Sequence, residues 1–268
     1  MEENKNLVLI YHDVFDQQLD ASIPHSAAMY HISKDQFKEH IYIVRHSAIE
    51  VISIEKYLNG KGNSSSMIFT FDDGWAGVYN TAYPLFNILG WSVALFITSD
   101  FIGRPGFLSE QQLIELSNAG FELGVHGTTH RMLSGCTTDE IYWELSTCKK
   151  YLEDLTGKNI KYGSLPGGDE TPEIISIASQ VGLQALFTSK PGINTGFTSP
   201  YALQRVCVRS STSSGDMERY CKFSIKQEIF RSAVLQLPHR LLGGKNYALF
   251  RRWLLREKQG SASELFTP

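Results

Sequence analysis

Short apolar runs that alternate with helix-forming segments, each change punctuated by Gly, Pro or Ser, predict an α/β chain folded as a distorted β/α barrel. Two further observations support that class. At 268 residues and 42% apolar content the chain can fill one barrel-sized core. It also lacks the GxGxxG and GxxxxGK(S/T) loops that mark nucleotide-binding open sheets.

The elements follow in order. Leu7 to Tyr11 reads as the first strand, and Ser33-Lys-Asp-Gln36 has the form of a capping box that opens a helix through about Ala48. Ile49 to Ile52 is a short strand, Gly60 to Ser66 a polar loop, and Met67 to Phe71 a buried strand. A helix from about Gly77 to Leu89 stops at Gly90, and Trp91 to Thr98 is another inner strand. Ser109 caps a helix that ends at Gly120, and Phe121 to Val125 is a strand. Thr137-Thr-Asp-Glu140 is a second capping box, for a helix ending at Gly157. Thr171-Pro172 sets the start of a helix ending at Gly182; Gln184 to Thr188 and Leu203 to Val208 are the last strands. The expected organisation is one catalytic domain over 1–212 and a basic, helical C-terminal extension over 213–268.

The composition excludes disordered and collagen-like classes, and a net charge of −3 excludes a surface devoted to nucleic acid. Charge is uneven, however: residues 229–258 carry +6, against −8 over 1–228. Apolar residues interleave with those arginines and lysines, so the segment either docks an apolar face on the barrel or rests on an anionic membrane surface. Cys136, Cys148, Cys207 and Cys221 have no metal-site spacing and read as reduced thiols. Together with an N-terminus that lacks a signal-like apolar run, they place the expected site of action in the cytoplasm or peripherally at the inner membrane surface.

Chemistry is expected where strands end, because barrel enzymes collect their reactive side chains at the C-terminal rim. Thr70-Phe-Asp-Asp-Gly74 sets two carboxylates at one strand tip, and successive strand side chains diverge, so Asp72 and Asp73 serve different roles. His126-Gly-Thr-Thr-His130 follows the next-but-one strand; two imidazoles and one carboxylate form a facial set that holds a divalent metal and leaves positions open. Alone, each string is the composition of a solvated turn or helix face. Both directly follow strongly apolar strands, where ionisable groups are costly unless employed. His25, His31, His40 and His46 stand in polar contexts and read as surface residues. Trp75 and the Phe101–Phe107 stretch are either core or stacking platforms for a sugar ring.

These two strings resemble the first two motifs of the polysaccharide deacetylase family, also known as the NodB-homology or carbohydrate esterase family 4 domain. The opening Val8-Leu-Ile-Tyr-His-Asp-Val14 resembles the subgroup that deacetylates poly-N-acetylglucosamine, in which the order of elements is permuted and the strand bearing the Leu-x-His motif comes first. The resemblance runs from about Leu7 to Val208. It implies Asp73, His126 and His130 as ligands of a divalent metal, with zinc the leading choice among transition metals, Asp72 as general base and His12 as general acid. Gly167 is the positional choice for a backbone N–H at the oxyanion. Ser164 stands where many members carry an arginine, so the charge beside Asp72 has to come from elsewhere; Arg205 or Arg209 on the last strand could supply it, and Arg205 is also a candidate substrate contact. Leu237-Pro-His239 spells Leu-x-His again, beyond the barrel. The implied activity is metal-dependent removal of an N-acetyl group from an amino sugar in a polysaccharide or glycoconjugate. Hydrolysis of a non-sugar amide, and a catalytically silent glycan-binding member, are the other readings. The oligomeric state is left open.

Overall fold

The structure is a computed structural model and describes residues 4–16, 25–60 and 65–234. In chain order the regular elements are β1 Asn6–Tyr11, β2 Asp13–Phe15, α1 His25–Ala28, β3 His31–Ser33, α2 Lys34–Arg45, β4 Glu50–Val51 and α3 Ile54–Leu58. β5 Ser66–Phe71, α4 Tyr83–Leu89, β6 Ala94–Ile97, α5 Glu110–Asn118, β7 Glu122–Val125, α6 Thr138–Thr156 and β8 Tyr162–Ser164 follow. The last are α7 Pro172–Gln180, β9 Ala185–Phe187, β10 Val206–Cys207 and α8 Ser214–Cys221.

The sheet is parallel, in the order β10-β1-β5-β6-β7-β8-β9, with β4 beside β5. Residues 203–207 join its two edges: the Leu203 N–H donates to Leu186 O at 2.9 Å beside β9, and Val206 and Cys207 pair with Leu9 and Ile10 of β1. This is the distorted β/α barrel expected from the alternation.

The period-two pattern of the strands sorts the core into two shells. Val8, Ile68, Phe96, Tyr162 and Phe187, drawn from five strands, meet inside the curl. Leu7, Leu9, Tyr11, Phe69 and Phe71 face outward, against Phe37 and Ile41 of α2 and Phe86 of α4. Burying each such side chain contributes about 1.5–3 kcal/mol. Thr70 and Asp72 share the parity of Ile68, which aims Asp72 into the lumen above that inner layer.

The helix signals are largely realised, Ser109 with Gln112 and Thr137 with Glu140 forming reciprocal capping boxes. At α2 only half of the expected box forms. Ser33 Oγ accepts from the Gln36 N–H, but the Gln36 amide donates instead to the carbonyls of Arg209, Ser210 and Thr212, tying α2 to the segment after β10. The helix after the paired acids begins as a π-helical turn, Val78–Ala82, a form that concentrates beside functional sites. Gly77 must be glycine, since a Cβ there would lie 2.2 Å from Asp13 Oδ1 and 2.5 Å from Val14 O.

Two surface assignments are corrected. His31 and His40 are buried; His40 lies on the apolar face of α2 with Phe37, Ile41 and Val44, where Tyr11 Oη donates to its Nδ1 and its Nε2 donates to Thr212 O. His31 pairs with Asp13 at 2.9 Å, on the small parallel sheet of β2 and β3 that sequence patterning did not reveal. His46 is exposed, as expected. Met217 and Tyr220 of α8, with Ile225, sit in the outer core shell, so the first residues past 212 pack on the barrel. Residues 235–268, with Leu237-Pro-His239 and most of the basic segment, lie outside the described residues. No described helix is long and apolar enough to cross a membrane.

Candidate active site and metal centre

Asp72 and Asp73 follow the tip of β5 and take different partners, and Asp73 has a left-handed backbone with φ +73°. His130 is also left-handed, at φ +67°. Such conformations cost a non-glycine residue on the order of 1–3 kcal/mol and collect at functional sites.

Asp72 is paired with Arg205. Nη1 lies 2.8 Å from Oδ1 and Nη2 lies 2.8 Å from Oδ2. The guanidinium, fully buried beside the Phe96 and Phe187 rings, also donates to Thr188 O, Thr70 Oγ1 and Ser164 Oγ. All five of its N–H bonds are thereby used within the protein. Arg205 therefore supplies the charge missing at Ser164 and has no donor left for a substrate or oxyanion, which corrects that part of the expectation. Ser164 keeps a share of the role, donating to Asp72 Oδ2 at 3.1 Å. Burial alone would raise the Asp72 carboxyl, but Arg205 and the nearby histidines hold it below the ordinary carboxylate range. Arg209 is not the arginine on Asp72; its guanidinium lies 5.8 Å from the Tyr30 ring centroid.

Asp73 faces the two imidazoles. Its Oδ1 lies 3.3 Å from His126 Nε2 and 3.1 Å from His130 Nε2, yet this buried oxygen accepts no aligned hydrogen bond. His126 Nδ1 sits 2.9 Å from the Ser164 carbonyl, an acceptor only, so Nδ1 carries the proton and Nε2 turns a lone pair toward Asp73. Two lone pairs aimed at one point are repulsive unless a cation lies between them, and ligand atoms of all three residues fall within 4.8 Å of one another. A His₂Asp set of this kind suits a divalent metal. Outside it, Glu144 of α6 is fully buried and takes the N–H groups of Thr128 and Thr129, which pins the loop between the two histidines.

His12, directly after β1, stands with its ring 4.7 Å from that of Tyr30 and with no partner on Nδ1. Burial pushes its pKa below the ordinary imidazole value, against the opposing pull of Asp73 and Asp72. Gly167 lies in the turn after β8 at φ +73°, exposed, where a Cβ would come 2.9 Å from Met132 Cε. Met132 thus lies against this turn. Trp75, Phe101 and Phe107 form a buried cluster and not an exposed platform.

A family model described as "Polysaccharide deacetylase" matches residues 59–186, the span that holds both acids and both histidines. Over that span the chain is similar to the polysaccharide deacetylase family. It is 25% identical over 194 residues to YxkH of Bacillus subtilis (strain 168), covering 70% of each chain. It is 22% identical over 217 residues to the poly-beta-1,6-N-acetyl-D-glucosamine N-deacetylase of Staphylococcus aureus (strain COL), covering 74% of each. Among solved structures, the Streptococcus pyogenes deacetylase PplD superimposes with a TM-score of 0.72 at 19% identity, over 81% of this chain and 97% of that one. His12 and Arg205 fall outside the matched span. β1 and the 203–207 segment, which close the curl beside β5, bring them to the acids.

Sequence reading missed Glu144 and the contact of the Trp75 indole N–H with Asp73. The only signal for Glu144 was a carboxylate at the spacing of Ile141, Leu145 and Cys148 on the buried face of α6.

Proposed function

We propose that this deacetylase hydrolyses the N-acetyl group of an N-acetylated amino sugar within a polysaccharide or glycoconjugate, using zinc bound by Asp73, His126 and His130. The observation that carries the reading is the orphaned Asp73 Oδ1 between two imidazole nitrogens, with a separately paired carboxylate one residue away. The bound metal would polarise the acetamide carbonyl and acidify a water.

The remaining steps belong to the chain. Asp72, held ionised and oriented by Arg205 and Ser164, takes the proton of the attacking water as general base. It is not among the three converging ligands, and its Oδ1, which accepts from Arg205 Nη1 alone, keeps a lone pair for that transfer. The departing amine requires a proton, and His12, whose unpartnered Nδ1 supports the reading, is the proposed donor. The Gly167 N–H is the proposed donor to the oxyanion, in a turn that the glycine's positive φ permits. A glycan substrate is supported by the resemblance to the Staphylococcus aureus enzyme, whose name specifies poly-beta-1,6-N-acetyl-D-glucosamine.

Place of action belongs to the same proposal. The four cysteines are free thiols, which supports a cytoplasmic or inner-surface enzyme. Elemental analysis of protein purified without chelator tests the metal assignment: about one zinc per chain is expected, with loss in Asp73→Ala and His130→Ala. Retention of full metal by His130→Ala would refute the ligand set.

A further inference from the structure

Trp75 is almost wholly buried, at 7% exposure, and its Nε1–H donates to Asp73 Oδ2 at 3.1 Å. The other oxygen, Oδ1, is the one 3.3 Å from His126 Nε2 and 3.1 Å from His130 Nε2. The indole is fixed from several directions. Phe107 stacks on it with centroids 4.3 Å apart at 26°, and the His31 ring meets it edge-on at 4.6 Å and 77°. His31 is itself held by Asp13, 2.9 Å away. The backbone around Trp75 bridges that around Phe107: Ala76 N–H donates to Gly106 O at 2.8 Å and Leu108 N–H to Gly74 O at 2.9 Å.

A carboxylate next to a cation binds through one oxygen or two, and the two modes leave different numbers of open positions. Within the metal-site reading above, we infer that Trp75 is a positioning residue which holds Asp73 to one-oxygen binding. The N–H occupies Oδ2 and leaves Oδ1 alone to face His126 and His130. The position saved stays free for water and for the acetamide oxygen. Phenylalanine at 75 would keep the stacking but lose the N–H, freeing Oδ2 to swing toward the ion. Outer-sphere hydrogen bonds to ligands typically set metal affinity by about 10- to 100-fold.

The test compares wild type with Trp75→Phe by two readouts that do not depend on turnover. The first is Zn²⁺ affinity by competition with a chelating dye. The second is the visible absorption of the Co²⁺-loaded protein, whose intensity falls as coordination number rises. The proposal predicts Zn²⁺ binding weakened by about 10- to 100-fold and a weaker Co²⁺ band in Trp75→Phe. Equal affinity and an unchanged band would overturn it. Should the variant not fold, ¹⁵N indole spectra of the wild type decide, with the other three tryptophans assigned by substitution. A Trp75 N–H signal protected from exchange both before and after Zn²⁺ addition supports the inference, and loss of protection on addition overturns it. Failure of the wild type to bind Zn²⁺ at all would instead bring down the metal-site reading on which this inference rests.

Discussion

Arg205 and Asp72 meet through two parallel contacts of 2.8 Å across the lumen of the barrel, 133 residues apart in sequence. A charge this deeply buried is tolerated only with its partner, and removing one member of such a pair costs about 3–5 kcal/mol. Arg205→Met should lose that amount in urea unfolding and should lose activity with it. Asp72→Asn keeps the shape and cannot accept a proton, so metal should be retained while kcat falls by about 10² to 10⁴. In the double variant Arg205→Met with Asp72→Leu, no buried charge is left unpaired, and stability should recover part of the Arg205→Met loss. Strict additivity of the two single losses would show that the pair is not coupled.

His40 gives the pH dependence of stability a definite sign. Burial holds its folded pKa below the ordinary 6.5, outweighing the Thr212 carbonyl and the nearby Glu39 and Asp216. Above that ordinary value both folded and unfolded chains carry a neutral imidazole, and the stability is complete. As pH falls below it, the unfolded chain takes up the proton first, so stability declines toward the folded pKa. Glutamine can accept from Tyr11 and donate to Thr212 without titrating. Urea unfolding of wild type and His40→Gln at about pH 7 and about pH 5 should show the wild type losing more on acidification, given the histidine range. Parallel losses in the two proteins would exclude His40 as the source.

Ile229 and Phe230, at the start of the basic segment, are 48% and 71% exposed. The proposal that residues 229–258 rest on an anionic membrane surface has its support in the +6 charge of that stretch, about 1 kcal/mol for each basic residue near such a surface. The full chain should sediment with vesicles containing phosphatidylglycerol, less so in high salt, whereas a chain ending at Val234 should stay in solution and keep its activity. Equal sedimentation of both would refute the membrane contact.

The strand tips were legible because an apolar run broken by Asp-Asp or His is conspicuous when burial makes ionisable groups costly. Thr70 to Gly74 and His126 to His130 both lie where that reasoning places them. Arg205 was half legible, a single guanidinium inside the apolar run Leu203 to Val208, but its partner could be found only once the curl brought β1, β5 and the 203–207 segment together. His40 was misread from its polar neighbours although its spacing from Phe37, Ile41 and Val44 puts it on one helical face. His31 and Asp13 lie on strands of three residues each, too short for a periodic signal. Trp75 carried no signal for its N–H, because nothing in a sequence tells which oxygen of a neighbouring carboxylate an indole will meet.

The central claim is that Asp73, His126 and His130 hold the metal for amide hydrolysis on an amino sugar. Acetate release from N-acetylglucosamine oligomers, measured before chelation, after chelation and after return of Zn²⁺, tests it most directly. The account predicts release that chelation abolishes and Zn²⁺ restores in the wild type, and none at any stage in Asp73→Ala. Release that persists through chelation, or survives in Asp73→Ala, would contradict it.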